Sequence, residues 1–182
     1  MGHHGRVQST PTTDPLALVA LDTERHVAVR GWDQPARLFA LVRTDALLAR
    51  EPHLRAQMRE ADLAPGSFTA VEQEGLEATS SVETLIGRIA WPDEVDGCAF
   101  AVERMVVPPE AERDLPTRPD EAVEALASHP SRQDVRLLTA VLRDGRAICL
   151  LRQRAHDSDD AVATGPDIAP GLVAALQATF EP

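Results

Sequence analysis

The sequence predicts an α+β fold, a largely antiparallel sheet of about five to six strands with helices packed on it. Three observations carry that prediction. Asp134 to Arg154, DVRLLTAVLRDGRAICLLRQR, is a pair of apolar runs separated by Asp144-Gly145, the strongest short-range mark of a β-hairpin. Both faces of this hairpin are apolar until its ends, so its strands are central and need cover above and below. Finally, the elements follow as helix, strand, short helices, strand, helix, strand, helix, hairpin, strand and helix, without the strict alternation that builds a parallel sheet.

A two-residue type I′ turn at Asp144-Gly145 predicts the register: Arg143 opposite Arg146, Leu142 opposite Ala147, Val141 opposite Ile148, Ala140 opposite Cys149. One face then carries Val135, Leu137, Thr139, Val141, Ile148 and Leu150. The other carries Leu138, Ala140, Leu142, Ala147, Cys149 and Leu151. Helices are expected on one side and either helices or a second subunit on the other, which is the ground for expecting a homodimer.

Residues 1–13 are polar and predict an arm; 14–182 predict one α+β domain. Asp14 as N-cap and Pro15 at the first helical position open a helix that runs to Gly31, with Leu16, Val19, Ala20, Thr23 and Val27 as its buried stripe. ARLFALV predicts a buried strand. Thr44 or Asp45 caps a short helix, Pro52 starts another, and Pro65-Gly66 breaks the chain before SFTAVEQE, a strand whose polar end suits an edge. Ser80 and Glu83 form a capping box for a helix carrying Val82, Leu85, Ile86 and Ile89. Cys98 to Val107 makes a further strand, stopped by Pro108-Pro109, in which Glu103 and Arg104 point to opposite faces, so that either one is paired across the sheet or the strand lies nearer an edge. After an acidic, Pro-rich loop, Pro119 begins a helix that ends at His129-Pro130. AVATG predicts a short last strand, and Asp167 is the expected N-cap of a final helix with Leu172, Val173, Leu176 and Phe180 inward.

All 18 basic residues are Arg, and Asn and Tyr are absent as well, the pattern of a GC-rich genome. With 29 Asp and Glu and a net charge of −11, the scattered arginines do not make a nucleic-acid surface. No apolar run approaches the ~20 residues of a membrane span, so direct membrane insertion is not expected. Cys98 and Cys149 fall inside strands and suit buried thiols in a cytoplasmic protein.

Without Lys there is no Walker-type loop and no Schiff-base chemistry; G-x-S-x-G, H-E-x-x-H and C-x-x-C are also missing. Trp32 and two acidic stretches remain as a candidate interaction surface: Trp91 with Asp93, Glu94 and Asp96, and the loop of His156, Asp157, Asp159 and Asp160. The second stretch invites a divalent cation. An EF-hand, however, would need an oxygen ligand where Ala161 stands and a Gly where Val162 stands, so solvated turns, no metal and no cofactor are expected. A dispersed enzyme site would draw on His26, His129, Glu103, Arg104 and the 156–160 loop.

GWDQPARLFALV, IAWPDEVDGCAFAVER, HPSRQDVRLLTAVLRDG and TGPDIAPGLVAAL together resemble an uncharacterised protein family of high-GC Gram-positive (actinobacterial) bacteria, over nearly the whole chain from Pro15 to Phe180. The resemblance implies no assigned activity. Genes of that family beside those for a large membrane protein and a PDZ-containing protease imply an accessory role with a protein partner that is membrane-associated. The element order also resembles the type III secretion chaperone-like fold, which dimerises and binds polypeptide. The expectation is therefore a cytoplasmic, non-enzymatic protein-binding, adaptor or chaperone-like domain.

Overall fold

A computed structural model describes residues 14–74, 82–165 and 167–181. In chain order it contains α1 (Pro15–Ala28), β1 (Arg37–Arg43), α2 (Thr44–Arg50), 3-10 turns at Pro52–Gln57 and Glu60–Leu63, β2 (Phe68–Gln73), α3 (Val82–Gly87) and β3 (Gly97–Val106). There follow α4 (Pro109–Glu112), α5 (Pro119–Ala127), β4 (Gln133–Leu142), β5 (Ala147–Gln153), a 3-10 turn at Asp159–Ala161, β6 (Ala163–Gly165) and α6 (Pro170–Ala178). The six strands form one sheet in the order β2-β1-β3-β4-β5-β6, every neighbouring pair antiparallel. SFTAVEQE forms one edge, as its polar end predicts, and the short strand within AVATG forms the other.

The hairpin forms, but it closes by a different turn. Leu142 N–H donates to Arg146 O at 2.8 Å and Gly145 N–H to Leu142 O at 3.0 Å, so the loop is Arg143-Asp144-Gly145. Only Gly145 takes positive φ, 101°, while Asp144 turns its carboxylate to the Arg146 N–H at 3.1 Å. A three-residue loop with a left-handed glycine moves the register by one. Val141 pairs with Ala147, Ala140 with Ile148, Thr139 with Cys149 and Leu138 with Leu150. Because side chains alternate, the slip turns all of β5 over: Ile148 and Leu150 share a face with Leu138 and Ala140, and Cys149 lies opposite Thr139 on the other.

One face is covered by α1, whose Leu16, Val19, Ala20 and Val27 pack on Phe39, Leu41, Leu138 and Leu150. The far face is covered by α3 and α6, where Ile86 and Leu176 meet Leu38, Cys98, Phe100 and Val141. β4 thus has the chain's own helices on both sides, which removes the reason for expecting a second subunit there. Gly97 pairs with Leu142, and a β-carbon at this position would stand 2.8 Å from Leu142 Cδ2 and collide with the Val141 carbonyl oxygen.

Helix ends follow the prolines more than the polar caps. Asp14 caps α1 through Leu16 N–H at 3.3 Å, as predicted, but α1 ends at Ala28. Pro170 fixes the first turn of α6, so Ala169 is its N-cap and Asp167 lies outside it. Thr44 is the first helical residue of α2 and Arg43 its N-cap; the Thr44 hydroxyl is 2.8 Å from that of Thr69. Pro109 begins a single-turn helix inside the stretch expected to be loop. The arm and Ser80 of the expected capping box lie outside the described residues. Among the described residues no helix is long and apolar enough to cross a membrane.

Candidate functional site

On the α1 side, the sheet ends in a layer of charge. Glu103, Arg136 and Arg152 occupy one cross-strand rung of β3, β4 and β5. Arg136 is 1% exposed and Arg152 2%, so each guanidinium needs partners within the fold. Arg152 makes two 2.7 Å bonds to the buried carboxylate of Glu24 on α1, then reaches Asp157 at 2.9 Å and Asp159 at 2.6 Å. Arg136 donates to Glu103 at 3.1 Å and to Gly31 O, and Trp32 covers it with the guanidinium 4.4 Å from the ring centroid. Glu103 also accepts from the N–H groups of Asp33 at 2.9 Å and Gln34 at 3.1 Å, holding a turn whose Asp33 has φ 67°.

A cleft of about 400 Å³ opens beside this layer, between α1 and the β1–β2 edge of the sheet. Its floor is apolar, with Val19, Phe39, Phe68 and Ala70; Met58 and Arg59 close one end. Met58 packs against the far-face cluster of Ala40, Val42 and Leu47, whereas Arg59 donates to Asp22 on α1 at 3.4 Å. The segment after α2 therefore links the far-face cluster to α1. The rim carries Asp22, His26, Asp62 and Glu72. Glu72 is held by Arg37 through two 2.7 Å bonds, and Arg37 also lies 3.3 Å from His26 Nε2.

β2 is the outer strand of that cleft, and among the described residues no strand pairs with its outer side. Thr44 N–H donates to Ser67 O at 2.9 Å, which makes Thr44 and Ser67 a hydrogen-bonded pair in continuation of the β1–β2 register. Alternation then points the main-chain groups of Phe68, Ala70 and Glu72 away from β1.

The family model of PPA1309-like proteins matches residues 16–181. The chain belongs to that family. It is an uncharacterised family, as the quoted motifs imply. No curated protein and no solved structure matches, and the likeness to the type III secretion chaperone-like fold gains no support from either comparison.

In this PPA1309-like chain the predicted surface residues fall at opposite ends of the sheet. Trp32, Asp157 and Asp159 join the charged layer: Trp32 Nε1 donates to Asp157 at 3.0 Å, and both carboxylates serve Arg152. Asp160 accepts from Ser158 at 2.7 Å, and exposed His156 pairs main chain with Gln153. At the other end Trp91 stacks on Phe180 with centroids 6.0 Å apart and donates to Thr179 at 3.0 Å. Asp93 is exposed, Glu94 lies 3.9 Å from Arg50, and Asp96 accepts from the Arg43 N–H at 3.1 Å. Of the residues considered for a dispersed enzyme site, the cleft receives only His26. Among the described residues no group of three or more His, Cys, Asp or Glu could hold a metal ion. Burial pushes the Cys98 thiol up to about 12, so it offers no nucleophile.

Sequence reasoning missed Glu24, Arg37, Arg136, Arg152 and the cleft. The arginines did carry a mark: each interrupts or bounds an apolar strand at a core-facing position once the register is right.

The acid side of the stability curve follows from these pairs. The hydrogen bond from Trp32 and the Arg152 guanidinium hold the Asp157 carboxyl below its usual range, and Arg37 does the same for Glu72. A carboxyl with a lowered folded value contributes fully above its unfolded value and loses that contribution as pH falls through the folded one. The urea midpoint is therefore expected to hold near neutrality and to fall modestly below about pH 4, since both carboxylates are partly exposed. A midpoint unchanged down to about pH 2 would show that these pairs add nothing to stability.

Proposed function

We propose that the domain binds a partner polypeptide by adding an extended segment of it to the outer side of β2, with alternate side chains entering the cleft beside α1. The observation that carries this is the coincidence, among the described residues, of a strand edge with no paired neighbour and a cleft of apolar floor. Strand addition takes its affinity from main-chain bonds and its specificity from pockets for every second side chain, and both parts lie side by side here. A chain of net charge −11 repels its own copy, so the proposed occupant is a different polypeptide, a segment of a membrane-associated protein among them. Two buried free thiols suit a cytoplasmic, non-enzymatic adaptor or chaperone-like setting.

The test uses an acetylated, amidated peptide of alternating threonine and valine and residue-resolved amide exchange. The peptide is expected to slow the amides of Ala70 and Glu72. Ala70→Pro removes a donor that faces outward, leaves the β1 ladder intact, and is expected to weaken binding about tenfold or more. Protection elsewhere on the surface, or none on β2, would sink the proposal.

A further inference from the structure

We infer that the cleft beside β2 selects a cationic side chain, arginine or lysine, from the docked segment, and that Arg59 holds that side chain's place in the free protein; this rests on the strand-addition reading. Arg59 lies across the cleft mouth between two elements. Its Nη2 is 3.4 Å from Asp22 on α1, and its Nε is 3.2 Å from Asp62 on the 3-10 segment. All three side chains are wet: Arg59 is 72% exposed, Asp22 49% and Asp62 33%. Ion pairs this open contribute little to folding, so Arg59 can leave at small cost.

What it leaves behind is a binding site for the same chemistry. Glu72 is already neutralised by Arg37, whereas Asp22 and Asp62 would face the cleft mouth with Arg59 withdrawn. Below them Val19, Phe68 and Ala70 present apolar surface suited to the methylene stem of a long cationic side chain. An incoming strand would have its backbone anchored along β2, beside the same cleft. Its cation therefore competes with Arg59 as a tethered ligand against a loosely held one.

Peptides alternating valine with arginine, threonine or glutamate distinguish this inference from the reading beneath it. Anisotropy at low ionic strength is expected to rank them arginine, threonine, glutamate, with about tenfold between the first two. Arg59→Ala should tighten the arginine peptide several-fold and leave the threonine peptide unchanged. Asp22→Asn with Asp62→Asn should remove the preference, and thermal melts of each variant report that it folds. Equal binding of the arginine and threonine peptides, or an Arg59→Ala variant that binds the arginine peptide no better, overturns cation selection while leaving strand addition standing. If no peptide protects Ala70, strand addition itself fails.

Discussion

Replacing Glu24 by alanine is expected to cost about 3–5 kcal/mol of folding stability. The side chains of Glu24 and Arg152 are 2% and 3% exposed, and two bonds of 2.7 Å join them. Removing the carboxylate leaves a guanidinium that cannot shed its proton inside the core, with only the outer oxygens of Asp157 and Asp159 to answer it. The paired replacement Glu24→Leu with Arg152→Met takes out both charges and is expected to lie within about 1–2 kcal/mol of the native chain, since a buried pair returns little more than its desolvation cost. Urea unfolding of the single and double variants measures the difference. A single variant losing less than about 1 kcal/mol would mean that the two exposed carboxylates alone keep Arg152 satisfied.

Gly97→Ala is expected to destabilise by about 2–3 kcal/mol. The added methyl would stand 3.2 Å from Leu142 Cα and against the Val141 carbonyl oxygen, which are main-chain atoms that no rotamer can move. Relief requires the two central strands to part at the end of their ladder, where Gly97 pairs with Leu142. Gly171 in α6 is the control: a β-carbon there meets nothing within 4 Å, and Gly171→Ala is expected to hold or raise stability by up to about 1 kcal/mol. Differential scanning calorimetry of both variants separates the two; equal midpoints would show that the sheet yields freely at Gly97.

The elements were legible because each is spelled locally. Asp14-Pro15, Pro119 and Pro170 mark helix starts, and the apolar faces of ARLFALV and the hairpin mark central strands. Register was not legible, because it hung on whether Asp144 would take a left-handed conformation or turn its carboxylate back on Arg146. That single choice decides which side chains of β5 meet Glu24. Glu24 itself lies between Ala20 and Val27 on the buried stripe of α1, a position that asks for a cationic partner, but only the corrected register names Arg152. The cleft is harder still. It takes α1, β1, β2 and the 3-10 segment together, and no window of sequence contains more than one or two of its walls. The acidic 156–160 stretch misled for a related reason: carboxylates that look free for a cation are answered from within by buried Arg152, which precedes them in the chain.

The two margins of the sheet are unequal. β6 is three residues long and is followed in sequence by Pro166, which has no N–H to offer, while β2 runs for six residues. A filament grown strand upon strand needs a competent margin on both sides of every subunit, and here one side is blunt. A guest strand added to β2, as proposed, would therefore end the addition at a single partner and would not be repeated into a fibre.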